Sequence, residues 1–304
     1  MNRRSRLPAK HRGLVVVTES AFAFSTAGFF TRLITLDVWT VLFWRAVFGG
    51  LAIGSYVIWQ HRRQTVTAFW AMGRAGIAVA LCSALATICF INALRQTTVA
   101  DVLVINATAP LVTAAMAWLW TSERESKATI IASVAAFFGV TIMVNAAVTE
   151  GHILGDLLAV IMTVLLSAMM IIIRGNREIS MLPAACLSAF VCSLIVLPIS
   201  VPSASRGMTI LYLMLFGTAQ FGLGLLLLTI ETRMISAARS ALIGSLETPL
   251  APVWVWLAFG EVPSPSTIVG GLIVMMAVVG EVLTKSVDGK AQPARSFFDE
   301  DESG

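Results

Sequence analysis

Ten runs of apolar residues follow one another along the chain, at roughly 13–34, 38–59, 75–95, 98–120, 128–148, 154–173, 182–201, 208–230, 236–259 and 266–284. Each approaches the ~20 residues that a helix rising about 1.5 Å per residue needs to cross ~30 Å of hydrocarbon. The pattern predicts an all-α integral membrane protein of ten transmembrane helices. The informative positions are the polar ones inside the runs. In 236–259 a carboxylate, Glu247, stands at mid-span, where it costs on the order of 2.5–3.5 kcal/mol on the insertion scale and belongs against protein or a watery cavity rather than lipid. Pro249 cannot bond the Ser245 carbonyl, nor Pro252 that of Thr248, which leaves acceptors that lipid cannot satisfy.

A second copy of this stretch lies upstream. Asn106-Ala-Thr-Ala-Pro110-Leu111 is followed by Glu123, thirteen residues after the proline, as Pro249-Leu250 is followed by Glu261 after twelve. Small-residue turns, Thr97-Thr-Val-Ala and Ile235-Ser-Ala-Ala, precede both, and duplication is the economical explanation. The expected organisation is a basic cytoplasmic tail at 1–12, five-helix repeats at 13–148 and 149–285, and a polar, acidic, disordered tail at 286–304. The first run is longer than a signal-peptide core and lacks a convincing cleavage site, so it reads as a retained span.

Charge sets the orientation. With the N-terminus in the cytoplasm, 17 of the 21 lysines and arginines fall on that side, Arg239 counted among the loop charges, and both termini are cytoplasmic. Five spans per half is odd, so the repeats are inverted, an arrangement that favours a transporter over a receptor or structural protein. Composition agrees: 57% of residues are hydrophobic and 12% charged, mean hydropathy is +0.85, and soluble domains carry about 25% charged residues. The basic residues are scattered among short loops, which excludes a nucleic-acid partner. The expected partners are the lipid bilayer and a small-molecule substrate, and the sequence leaves the oligomeric state open.

Candidate chemistry concentrates at mid-membrane. Glu247, Ser240, Gly244 and Ala251 share a helical face, read either as a cavity wall or as a small-residue helix contact with Glu247 tied to a donor. Asn106, Thr108, Pro110 and Thr113 stand at the matching depth of the first repeat. Pro110 and Pro249 are candidate hinges, with a tolerated kink as the alternative. Gln220 either meets substrate or joins helices. Glu19 forms an ion pair or touches substrate. Trp44 and Trp254 either wall a pocket or pack, and Arg45 ranks below Glu247 because it can snorkel. Cys82, Cys89, Cys186 and Cys192 read as small core residues, and His11, His61 and His152 lie outside the spans. No catalytic set, metal site or cofactor is expected.

Phe43-Trp44-Arg45-Ala46, Ala93-Leu94, Thr97-Thr98-Val99-Ala100, Pro110-Leu111 with Glu123, Ala237-Ala238, Leu246-Glu247-Thr248-Pro249-Leu250 and Gly260-Glu261 together resemble the EamA-type drug/metabolite transporter superfamily. The likeness covers Gly13 to Leu283, although the family commonly places glutamate directly before the proline, where Thr248 intervenes here. It implies a central cavity walled by spans 1–4 and 6–9. It also implies export of small amphipathic metabolites across a bacterial inner membrane by alternating access, amino acids and aromatic ones among them. An integral membrane enzyme acting on a lipid or isoprenoid is the alternative, and it needs an interfacial catalytic cluster that the sequence lacks.

Overall fold

The computed structural model describes residues 9–97, 99–122, 124–144, 153–204, 207–260 and 262–288, and among these no strand occurs. Among the described residues, nine helical stretches are long and apolar enough to cross a membrane, and Lys127–Met143 is apolar but shorter. That shorter helix belongs to the run expected at 128–148, whose end lies outside the described residues, as do Thr98, Glu123, Glu261 and the tail from 289 onward.

The first span is α1 (Ala9–Ser25) continued by α2 (Ala27–Leu33). Between them Thr26 directs both its backbone N–H and its hydroxyl to the Ala23 carbonyl, at 3.3 and 2.7 Å. The second is α3 (Val38–His61), started by the Asp37 carboxylate, which accepts from the backbone N–H groups of Trp39 and Thr40. The short α4 (Thr65–Ala71) leads into α5 (Gly73–Gln96), and the fourth span is broken into α6 (Val99–Asn106) and α7 (Ala109–Thr121). After α8 (Lys127–Val144) come α9 (Ile153–Gly175) and α10 (Leu182–Val196). The eighth span consists of α11 (Met208–Leu215), a π-helical segment at Phe216–Gly222, and α12 (Leu223–Glu231). The ninth is broken into α13 (Ala237–Gly244) and α14 (Glu247–Phe259), and α15 (Pro265–Asp288) ends the described chain.

The duplication is structural, and its register is one number. Features of the second half lie 138 residues after their counterparts: α6 and α13 (99 to 237), α7 and α14 (109 to 247), and α8 and α15 (127 to 265). The same step links the left-handed caps Ser122 and Gly260, each returning its N–H to the carbonyl four residues back, at 3.2 and 2.8 Å. It also links Ser126 and Ser264, which start the next helices by accepting the N–H of Thr129 and Thr267, both at 3.2 Å. The motif glutamates at 123 and 261 obey this step, whereas Pro110 and Pro249 are one residue out of it. Counted by the breaks, Glu247 therefore corresponds to Ala109 rather than to Thr108.

Helix pairings repeat in the same way. α5 packs on α9 as α1 packs on α12, α10 on α5 as α3 on the π segment, and α7 on α9 as α14 on α1. Two pairs are their own counterparts: α3 with α10, and α8 with α15. In the last, a Cβ on Gly270 would stand 2.2 Å from the Gly139 carbonyl oxygen, so the two backbones are in contact. Close backbone approach through small residues is how helices gain packing energy where lipid removes the hydrophobic drive to associate.

Candidate functional site

The two broken helices position the site, and the breaks are made by the chain itself. Thr108 and Leu246 turn their N–H groups to the carbonyls three residues back, Ile105 and Ile243, at 3.0 and 3.1 Å. Serine and threonine hydroxyls add to this tightening: Thr108 donates to the Ile105 carbonyl at 2.6 Å, and Ser245 to that of Leu242 at 2.5 Å. The Ser245 carbonyl that Pro249 cannot reach is taken by the Thr248 N–H at 3.1 Å, so it is satisfied locally rather than left for a cavity. Proline is thus one of several causes of the break.

Between the halves lies a cavity of about 740 Å³. Asn106, Pro110 and Thr113 line it from the first broken helix, and Gly244, Ser245, Glu247, Thr248, Ala251 and Pro252 from the second. Thr113 is fully buried and ties α7 to α9, donating at 2.6 Å to the Ala109 carbonyl and at 2.9 Å to Ser167. Met143, Met162, Met169, Met170, Phe24 and Phe90 supply much of the apolar wall. The cavity extends past Thr31 and Arg32 to Val262, Pro263 and Thr267, at the loop between α14 and α15.

Glu247, Gly244, Asn106 and Gln220 are brought together on this wall with Ala251, Pro110, Thr113 and Arg45, whereas Ser240, Thr108, Trp44, Glu19, Pro249 and Trp254 are placed elsewhere. Ser240 is fully buried and bonds the Glu231 carboxylate, because the break at 245–246 rotates α13 away from the face that an unbroken helix would share with Glu247. Thr108 spends its hydroxyl on the break. Trp44, one residue and about 100° from Arg45, donates to the Pro202 carbonyl at 3.3 Å and stacks on Phe48. Glu19 is exposed on the face of α1 that also carries Val15, Thr18 and Phe22. Pro249 is buried against Gly271 of α15, so only its neighbour Pro252 reaches the cavity. Trp254 anchors α14 to α1, donating to Ser25 at 2.8 Å and meeting Phe22 edge-on.

Arg45 turns inward instead of snorkelling. Its guanidinium lies 4.6 Å from the Phe221 ring centre and 5.4 Å from that of Phe216, and it lines the cavity. The fit depends on glycine: a Cβ on Gly217 would meet Phe48 at 2.6 Å and the Arg45 carbonyl at 2.8 Å, so only glycine lets α3 lie flush on the π segment. That segment is the widened turn often found at functional sites, and it carries Gln220 and Phe221 together on the wall. A cation over an aromatic face is worth ~0.5–2 kcal/mol. Among the described residues Arg45 forms no ion pair, and its Nε has no hydrogen-bond partner.

Sequence reasoning also missed a polar cluster at the opposite end of the molecule. Arg239, counted above with the loop charges, is buried in α13 and pairs with Glu281 of α15 at 2.9 Å, while the second Glu281 oxygen accepts from Thr129 of α8 at 3.0 Å. The next residue of α13, Ser240, holds the fully buried Glu231. The available signal was Glu281 itself, an acid inside the final apolar run.

The model of the EamA-like transporter family matches residues 11–145 and 153–282. A solved crystal structure is 16% identical in sequence, with a TM-score of 0.76, covering 90% of this chain and 98% of its own; it is a likeness of fold. No curated protein matches the sequence.

Proposed function

Since the chain belongs to the EamA-like transporter family, a superfamily of multi-pass membrane transporters, we propose that it is a secondary transporter exporting small amphipathic metabolites. Amino acids, with aromatic ones among them, are the proposed substrates. The observation that carries this reading is the cavity of about 740 Å³ between the two broken helices, methionine- and phenylalanine-walled with a few polar groups converging on it. Methionine adapts to irregular apolar shapes, and a mixed lining of this kind suits a molecule with a polar head and an apolar side chain.

The proposed arrangement is ten spans in two inverted repeats with both termini in the cytoplasm of a bacterial cell, and the inner membrane is the proposed location. In that orientation the cavity faces outward past Arg32 and Pro263, while the buried Arg239–Glu281 pair and the Glu231–Ser240 contact belong to the closed cytoplasmic side. Transport proceeds by exchanging these shapes between the halves, with Pro110 and Pro249 as hinge elements. Counterflow in proteoliposomes, with a panel of labelled amino acids, tests the reading. Saturable exchange of chemically unchanged substrate is expected, and no exchange across the panel, or product formation without flux, would refute it.

A further inference from the structure

The α3 face against the π segment holds two buried polar atoms of opposite kind that the transport reading has not used. Arg45 Nε, a donor, has no hydrogen-bond partner, and neither has Gln220 Oε1, an acceptor, although the Gln220 amide nitrogen reaches the Phe24 carbonyl at 3.4 Å. Both side chains line the cavity, and the Phe221 ring face lies 4.6 Å from the Arg45 guanidinium. Buried polar groups in folded proteins are nearly always satisfied, so a paired donor and acceptor left over beside a cavity describe what the missing partner must offer. Arginine presents a flat fork of donors that matches a carboxylate, and a glutamine carbonyl accepts from an amine or hydroxyl next to it.

We propose that Arg45 and Gln220 form a subsite for the carboxylate head of the transported molecule, with Arg45 binding the carboxylate and Gln220 Oε1 accepting from a donor on the adjacent carbon. The proposal deepens the transport reading and rests on it only for the route into the cavity. It assigns the polarity of the bound molecule: its head points to α3 and the π segment, and its apolar part lies along the methionine wall of α9. Glu247, on the opposite broken helix, then faces the far end of the molecule rather than its α-carboxylate. The class of ligand follows as small carboxylates with an apolar tail, whether or not they carry an amine.

The test uses the full chain with the four native cysteines replaced and a single cysteine at Gly244, which lines the same cavity. Labelling by a small neutral maleimide is measured against three probes of one skeleton: phenylalanine, 3-phenylpropionate, which lacks the amine, and phenethylamine, which lacks the carboxylate. In the parent, both carboxylates protect the cysteine. In Arg45→Gln the concentration of either carboxylate giving half protection rises at least tenfold, the least that a lost charge-assisted hydrogen bond costs, while phenethylamine is unaffected. Arg45→Lys recovers part of the protection, keeping charge without the fork, and shows that the site still folds. Equal loss of all three probes, unchanged carboxylate protection in Arg45→Gln, or no carboxylate protection in the parent would each overturn the proposal. Arg45-dependent protection without counterflow of any amino acid would retain the subsite and discard the export reading.

Discussion

Removing Arg239 alone isolates what a buried charge costs when its partner is taken away. The side chains of Arg239 and Glu281 are 4% and 0% exposed, and they meet at 2.9 Å where α13, α15 and α8 converge. In Arg239→Met the Glu281 carboxylate loses the Arg239 guanidinium in a place water does not reach, and such a loss costs about 3–5 kcal/mol. That is a large share of the ~5–15 kcal/mol by which folded proteins are stable. The double variant Arg239→Met/Glu281→Leu removes both charges and fills similar volume, so it is expected within about 1–2 kcal/mol of the parent, because apolar replacement of a whole buried pair is often neutral or stabilising. Reversible unfolding by denaturing detergent in mixed micelles, followed by tryptophan fluorescence, measures all four corners of the cycle. The reasoning fails if Arg239→Met costs under about 1 kcal/mol, or if the double variant loses as much as the two singles combined.

Two further outcomes are expected. Single cysteines at Asn106, Gly244 and Glu247, in a chain without the native four, react with an aqueous thiol reagent, whereas one at Ser240 does not, since that side chain is fully buried against Glu231; equal labelling at all four would contradict the placement of the cavity. Pro249→Ala and Pro110→Ala each lower transport while keeping substrate protection of Gly244→Cys, and they shift sided access in opposite directions, because a few kcal/mol of bias suffices to move a two-state equilibrium; unchanged sidedness in both would remove the hinge role.

Much of this fold could be read from the sequence because a membrane imposes it. Length and apolarity located the spans, and the repeated Pro-Leu and Glu positions exposed the duplication that the 138-residue register now makes explicit. Glu247, Asn106, Gly244 and Gln220, singled out in the sequence by depth or helical face, line the cavity. One misplacement comes from the breaks. An unbroken helix carries Ser240 onto the face of Glu247, but a turn tightened by Ser245 and Leu246 does not, and no periodicity rule contains that rotation. Arg45 was underrated because snorkelling is a default for arginine near a span end, while its actual direction depends on a glycine contact and a π-helical turn contributed by another span. Arg239 looked like a loop charge for the same reason: its partner is 42 residues away in sequence.

Where Gly139 and Gly270 bring α8 and α15 into backbone contact, with Met143, Ile273 and Val274 packed around them, the pair is joined as a strut. Both broken helices lean on it. α6 packs on α8, α13 reaches α15 through Arg239 and Glu281, and α14 rests Pro249 on Gly271. A shared post of this kind turns two local bends into one lever. In the proposed transport cycle, motion of α14 at one end of the cavity is carried through the strut to α13 and α6 at the other, so this glycine seam couples its two ends.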